Sequence, residues 1–260
     1  PVIIDRDNLP CAWWRVLTKN HEGDSMSYTI EIQSTDGTGT FSAYVAEPAS
    51  GKGPALVICQ EIFGVNETMR QVADRYAEEG YVAIVPDLFW RLEPGVELDY
   101  SPEGWEKAFG FFNNFDQNVG AQDIGTVLMT ARTSLEACND YPKAGVVGYC
   151  LGGKMAYLAA CRTDADVSVG YYGTGIEARL DEMVNIKGQL VLHFAGQDEY
   201  CPAEAQEQIK AAAAQHDNVQ VFEYPGVQHA FARPNGNHYD AAADAIAMER
   251  TLQALSALKA

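Results

Sequence analysis

The chain has 260 residues, 47% hydrophobic and 21% charged, which supplies apolar material for a sizeable core at a length common for one α/β domain. Eighteen basic against 36 acidic residues give a formal net charge of −18 at pH 7, repelling polyphosphate backbones and anionic lipid surfaces, so nucleic acid is excluded as an expected partner. The longest apolar runs, such as PALVIC and QLVLHFAG, fall well short of the ~18 residues of a membrane-spanning helix, and no membrane partner is expected.

The opening stretch PVIIDRDNLPCAWWRV lacks the basic start, apolar block and small-residue cleavage site of a secretory signal. Residues 1–27 read as an extension packed on a single domain over 28–260. From Tyr28, YTIEIQSTDGTGTFSAYVAEP alternates around a turn-rich centre and predicts a β-hairpin. Beyond ASGKGP the pattern changes to short apolar runs separated by amphipathic segments. ALVIC precedes a helix from about 66 to 79, and YVAIVP follows it. Helices over about 102–115 and 117–138 lead into AGVVGY, and another helix begins after Cys150. VSVGYY, QLVLHF, a helix near 203–215, VQVFEY and a last helix near 239–258 complete the chain.

Continuously apolar strands between helices predict an α/β fold: a mostly parallel central sheet with helices on both faces, preceded by the hairpin. In such sheets ligands gather at the carboxyl ends of the strands. The six cysteines, at 11, 59, 138, 150, 161 and 201, are irregularly spaced without a C-x-x-C pair. A zinc site or disulfide scaffold is therefore disfavoured and the reducing cytoplasm expected.

One cysteine stands apart. Gly148-Tyr149-Cys150-Leu151-Gly152 fits G-x-nucleophile-x-G, with the strand AGVVGY before it and the helix KMAYLAAC after it. That is the context of a nucleophile elbow, in which the glycines make room for a strand turning directly into a helix. The sulfur is then held out above the sheet at a helix N-terminus, which favours the thiolate. A buried, inert thiol is the alternative for any free cysteine; the coincidence of glycines, strand and helix favours the nucleophile here.

Such a nucleophile needs a base, and the base an orienting carboxylate, following in the order acid then histidine. Asp198 in HFAGQDEYCP and His229 in YPGVQHAFARP supply that order, each just past a strand. Alone, Asp198 reads equally as a loop carboxylate or helix cap. His193, inside an apolar strand, reads as a hydrogen-bonded core residue; His21, His216 and His238 lie in polar stretches and read as solvated. No H-E-x-x-H or comparable spacing suggests a metal.

The stretches QEIFGVN, VPDLFWR, VGYCLGG, VGYYG, GQDEYCP and HAFAR, in this order, resemble the dienelactone hydrolase family, or carboxymethylenebutenolidases, over roughly residues 28–258. The resemblance implies an α/β-hydrolase fold with Cys150 as nucleophile, His229 as base and Asp198 as orienting acid. It implies Glu61 beside the resting thiol, where a carboxylate disfavours the thiolate until substrate displaces it. It implies the backbone amides of Leu151 and Ile62 as oxyanion donors, and Arg233 as the group that holds a substrate carboxylate. For Glu61 and Arg233, structural ion pairs are the competing readings. Family members acting on dienelactone carry a second arginine where Trp105 stands, with Lys107 the nearest base, so the pocket is expected to be more apolar. Trp90, Trp105, Phe109 and Phe111 are possible lining, although aromatics at helical spacing are more often core.

The expected function is a cysteine hydrolase that opens a carboxylate-bearing unsaturated lactone, dienelactone to maleylacetate, through an acyl-thioester and without a cofactor. Its partner is a small-molecule lactone or ester. Two alternatives stay open: a carboxylesterase or thioesterase acting on a less charged ester, and a non-catalytic ligand-binding or thiol-sensing protein.

Overall fold

The computed structural model describes residues 15–19 and 26–260. Arg15–Lys19 (β1) pairs antiparallel with Met26–Gln33 (β2), which pairs antiparallel with Thr40–Glu47 (β3). β2 and β3 are the hairpin expected from Tyr28 onward: Tyr28, Ile30 and Ile32 are buried while Thr29, Glu31 and Gln33 face outward, the period-2 signature of a half-buried strand. Its turn closes with the Ser34 amide on the Gly39 carbonyl at 2.9 Å, and Gly37 takes the positive φ of 73° that a tight reversal requires. Of the segment read as an extension, residues 15–19 add a strand to this hairpin, whereas Cys11, Trp13, Trp14 and His21 lie outside the described residues.

The remaining strands are Ala55–Cys59 (β4), Val82–Pro86 (β5), Ala144–Tyr149 (β6), Val167–Tyr171 (β7), Gln189–Ala195 (β8) and Val219–Tyr224 (β9). All nine form one sheet in the order β1-β2-β3-β5-β4-β6-β7-β8-β9, and every pairing from β5 through β4 to β9 is parallel. Every residue of β4, β5, β6 and β7 is buried, because both faces are covered. Pro102–Asn114 (α2 in chain order), preceded by Glu67–Glu78 (α1), is followed by Gln117–Ser134 (α3), Leu151–Arg162 (α4), Ala203–Ala213 (α5) and Ala241–Leu255 (α6). Side chains of α2 to α5, among them Phe111, Ile124, Met155 and Ile209, build the core on one face. Met69 and Tyr76 of α1 pack with Ala247 and Leu255 of α6 on the other.

Two boundaries differ from expectation. The helix read to residue 138 stops at Ser134, since Leu135 turns to an extended ψ of 108° and the chain re-enters only as a 3-10 turn over Glu136–Cys138. A 3-10 segment over Glu177–Asn185, between β7 and β8, had no apolar period to announce it. Among the described residues, no helix is long and apolar enough to cross a membrane.

Candidate active site

β6 ends at Tyr149 and α4 begins at Leu151, so Cys150 alone makes the reversal. Its φ of 57° and ψ of −116° lie where a non-glycine residue costs on the order of 1–3 kcal/mol, sustained only where surrounding structure dictates it. The elbow's glycines explain how. A Cβ on Gly148 would stand 1.8 Å from the Gly152 carbonyl oxygen, and one on Gly152 would stand 2.1 Å from that of Cys59. The Cys150 amide bonds the Tyr171 carbonyl at 3.1 Å, tying the turn to β7. Cys150 is partly exposed, whereas Cys59, Cys138, Cys161 and Cys201 are buried. Burial pushes the Cys59 thiol far up, those of Cys138 and Cys201 up to about 12 and that of Cys161 to about 11, leaving these four inert.

Asp198 and His229 sit in loops beyond the carboxyl ends of β8 and β9, and these loops meet. Asp198 accepts from the amides of Tyr200 at 2.9 Å and Cys201 at 3.2 Å, which aim its other oxygen at His229. Nδ1 of His229 lies 2.8 Å from that oxygen. A carboxylate can only accept, so Nδ1 carries the proton and Nε2 is the free, basic nitrogen. Nε2 is buried without a partner. Ring edges of Tyr172 at 5.0 Å and Tyr200 at 4.9 Å flank the imidazole, and the positive φ of Ala230, 65°, turns the chain directly after it. Burial pulls the imidazole's proton affinity down, but the charge of an ionised Cys150 sulfur, then the hydrogen bond to Asp198, outweigh it and raise His229 to about 10. The raised value therefore belongs to an imidazolium facing a thiolate, the pair that transfer of the Cys150 proton to Nε2 would produce.

Glu61 and Ile62 follow β4 in a loop pinned by the Val65 amide on the Val96 carbonyl at 3.0 Å and the Leu98 amide on the Phe63 carbonyl at 2.9 Å. Oε2 of Glu61 accepts from Nε of Arg233 at 2.7 Å, with side-chain exposures of only 3% and 11%. The two residues that sequence left open as ion-paired are therefore each other's partner. The Arg233 guanidinium also lies 4.9 Å from the Tyr100 ring and 5.5 Å from that of Phe63, a cation held between aromatic faces. Burial works against its charge, while Glu61 raises its affinity for the proton.

These groups surround a cavity of about 60 Å³ lined by Ile62, Phe63, Trp105, Phe109, Phe112, Cys150, Thr174, Tyr200, His229 and Arg233. It adjoins a more polar hollow of about 230 Å³ that shares Trp105, Tyr200, His229 and Arg233. A larger surface hollow of about 570 Å³ beside Leu92 and Lys107 is lined by none of Cys150, Asp198 and His229. Among the described residues no group of three or more His, Cys, Asp or Glu side chains is arranged to hold a metal ion.

The family model for the dienelactone hydrolase family matches residues 41–258. The chain belongs to the dienelactone hydrolase family. It is 39% identical over 231 residues to a carboxymethylenebutenolidase of Pseudomonas putida, covering 88% of this chain and 96% of that protein. It is 36% identical over 235 residues to carboxymethylenebutenolidase 1 of Cupriavidus pinatubonensis, covering 90% and 98%. The solved dienelactone hydrolase of Anabaena variabilis superposes with a TM-score of 0.66 at 15% identity, over 91% of this chain and 99% of that one, and establishes the fold as that of the α/β-hydrolases. As a member of this family the chain is a hydrolase acting on ester bonds.

For a member of the family, the cavity sorts the sequence candidates. Cys150, His229, Ile62 and Arg233 line it, Asp198 stands behind His229, and Leu151 begins the helix whose first amides lack intrahelical acceptors. Trp105, at the missing-arginine position, packs edge-on against Phe63 at 4.8 Å. Lys107 instead pairs with Glu93 at 2.8 Å on the outer side of α2 and does not line the cavity. Of the aromatics, Trp105 and Phe109 face the cavity, whereas Phe111 stacks on Phe89 at 5.1 Å and Trp90 on Phe41 at 5.5 Å. Phe112, Thr174 and Tyr200 went unread; for Phe112 the signal was its i, i+4, i+7 spacing with Trp105 and Phe109.

Proposed function

We propose that the chain opens a carboxylate-bearing unsaturated lactone of the dienelactone type to the maleylacetate-type acid, through Cys150, His229 and Asp198. The observation that carries this is the buried His229: Nδ1 is fixed on Asp198 at 2.8 Å, Nε2 is unpartnered, and Cys150 lines the same cavity. The relatives named carboxymethylenebutenolidase support the substrate class.

Nε2 takes the thiol proton, and the thiolate attacks the lactone carbonyl. The amides of Leu151 and Ile62 hold the negative oxygen that forms. Collapse expels the ring oxygen as an enolate, still attached to the acyl group through the opened chain, and leaves an acyl-thioester. Enolate stability makes this an easy leaving group; it takes the proton from the His229 imidazolium and ketonises, which frees Nε2 to act as base again. His229 then deprotonates a water that hydrolyses the thioester and returns the thiol. Asp198 holds the tautomer throughout and offsets the charge of the imidazolium. Arg233 receives the substrate carboxylate, exchanging it for Glu61.

A second reading, a less charged ester, is favoured by one observation: the cavity is walled by Trp105, Phe109, Phe112 and Phe63, and Arg233 is the basic side chain that lines it. A panel of dienelactone and neutral aryl esters, run on wild type, Cys150→Ala and Arg233→Ala, separates the two. The lactone reading expects Cys150→Ala to lose activity on every substrate and Arg233→Ala to lose it on the lactone alone. Neutral esters preferred by orders of magnitude, with Arg233→Ala indifferent, establish the second reading instead.

A further inference from the structure

Three buried polar atoms on residues of the loops that follow β4, β7 and β9 have no hydrogen-bond partner: Oε1 of Glu61, the hydroxyl of Tyr172 and Nε2 of His229. Those of Glu61 and His229 belong to the chemistry described above. Tyr172 does not, and an orphaned buried hydroxyl forfeits a hydrogen bond that solvent would have supplied.

Its position is also held under strain. Tyr172 follows the last residue of β7 with a φ of 39°, a conformation that persists in a non-glycine residue only where the surroundings dictate it. They do: its amide bonds the His193 carbonyl at 2.7 Å. Gly173 behind it is so close to α4 that a Cβ there would lie 2.8 Å from the Gly153 carbonyl carbon. The ring is fully buried, edge-on to His229 at 5.0 Å and to Phe231 at 5.6 Å. Burial, and then the charge of Glu61, push the phenol well above its ordinary range, so the group remains a neutral O–H, a donor with nothing to donate to. Glu61 is bonded on one oxygen only, to Arg233.

We infer that Tyr172 is a positioning residue, the buried donor onto which Glu61 moves when an anionic ligand takes its place on Arg233. This rests on the reading that Arg233 receives a substrate carboxylate. A carboxylate leaving an arginine inside an apolar wall must find another donor or bear the full cost of desolvation. The Tyr172 hydroxyl supplies that donor, so the exchange at Arg233 becomes affordable for an anion and is irrelevant to a neutral ligand. The orphan of the resting state is the partner of the engaged one.

The test uses two small alkylating probes of the Cys150 thiol, iodoacetate and iodoacetamide, which differ in charge and transfer the same kind of carbon to sulfur with loss of iodide. Rates are measured by intact mass with the labelled site mapped, on wild type, Tyr172→Phe, Arg233→Ala, Glu61→Gln and the Tyr172→Phe/Glu61→Gln double variant. Tyr172→Phe is expected to slow iodoacetate on the order of tenfold, the loss of one hydrogen bond to a charged group. Iodoacetamide is expected to stay within about twofold, and the melting temperature to hold or rise, since an orphaned hydroxyl has been removed. In the Glu61→Gln background, where no charge has to be rehoused, the same substitution should lose its selective effect. Equal slowing of both probes, no slowing of either, or a lower melting temperature without selectivity would each overturn the inference. If Arg233→Ala leaves iodoacetate unaffected, the underlying anion reading fails and takes the inference with it; if Arg233→Ala slows iodoacetate and Tyr172→Phe does not, the inference alone fails.

Discussion

His193 and His229 are both buried, at 0% and 6% exposure, one within β8 and one in the loop after β9, and they are driven in opposite directions. His193 lies inside β8 with Nδ1 at 2.8 Å from the Tyr224 hydroxyl and Nε2 at 3.1 Å from that of Thr251. Burial, with Arg250 adding to it, holds it down to about 3. His229 lies in a loop with one nitrogen on a carboxylate and the other unpartnered, and facing an ionised Cys150 sulfur it rises to about 10. Burial is common to both. What separates a structural histidine from a reactive one is whether both nitrogens are satisfied by neutral groups or one is kept open beside a charge.

Exchanging each ring for a methyl group should give the widest separation. His229→Ala is expected to lower turnover of any ester that the wild type hydrolyses by about 10³-fold or more, with the fold retained. His193→Ala should leave the rate per folded molecule within about threefold but lower the melting temperature by roughly 5–10 °C, because it opens a cavity and takes one hydrogen bond from each of the Tyr224 and Thr251 hydroxyls. Steady-state kinetics beside thermal melts read both; a His193 variant that loses turnover without losing stability breaks the comparison.

Next in size are the opposite pH slopes. The raised His229 binds a proton when folded that it releases when unfolded between about pH 6.5 and 10, so its contribution is complete below 6.5 and is lost as pH climbs to about 10. The lowered His193 does the reverse: unfolding lets it bind a proton below about 6.5, so its contribution is present above that value and is lost as pH falls towards 3. Denaturant melts across this range should show Cys150→Ala flattening the alkaline limb only, since the sulfur is the largest of the influences raising His229. An unchanged alkaline limb would show that the thiol and the imidazole do not interact.

The order in which function was legible follows the range of the interactions. The elbow was readable because strand, glycine, cysteine, glycine and helix are consecutive, and the clash that a Cβ would create at Gly148 is with Gly152 inside that local turn, although the one at Gly152 is with Cys59 at the end of β4. Asp198 and His229 were readable through chain order, and His193 through its apolar strand. The Glu61–Arg233 pair joins residues 172 positions apart, and composition left both partners open. Tyr172 was visible only as part of VGYYG, and its role gave no signal, because an orphaned hydroxyl is a property of what surrounds it. The aromatics of α2 were half legible: their spacing was visible, but which turn of the helix faced the cavity depended on how it rotates against Phe63 and Phe89.

Smaller effects sharpen the contrast between paired and open charges. Glu61→Gln removes the negative partner of Arg233 and should raise the iodoacetamide rate of Cys150 severalfold at pH 7; an unchanged alkylation profile against pH would refute any charge coupling between Glu61 and the thiol. Lys107→Ala breaks an ion pair whose side chains are 49% and 52% exposed, and should shift the melting temperature by less than about 2 °C and activity by less than about twofold.

The most direct measurement is an acid quench of the enzyme during turnover of a slowly hydrolysed ester, followed by intact mass and peptide mapping. An acyl adduct on the Cys150 peptide, formed at least as fast as product and absent from Cys150→Ser, is the predicted result. Product formation with no adduct at any time, together with Cys150→Ala turning over at the wild-type rate, would show that the sulfur is not the nucleophile.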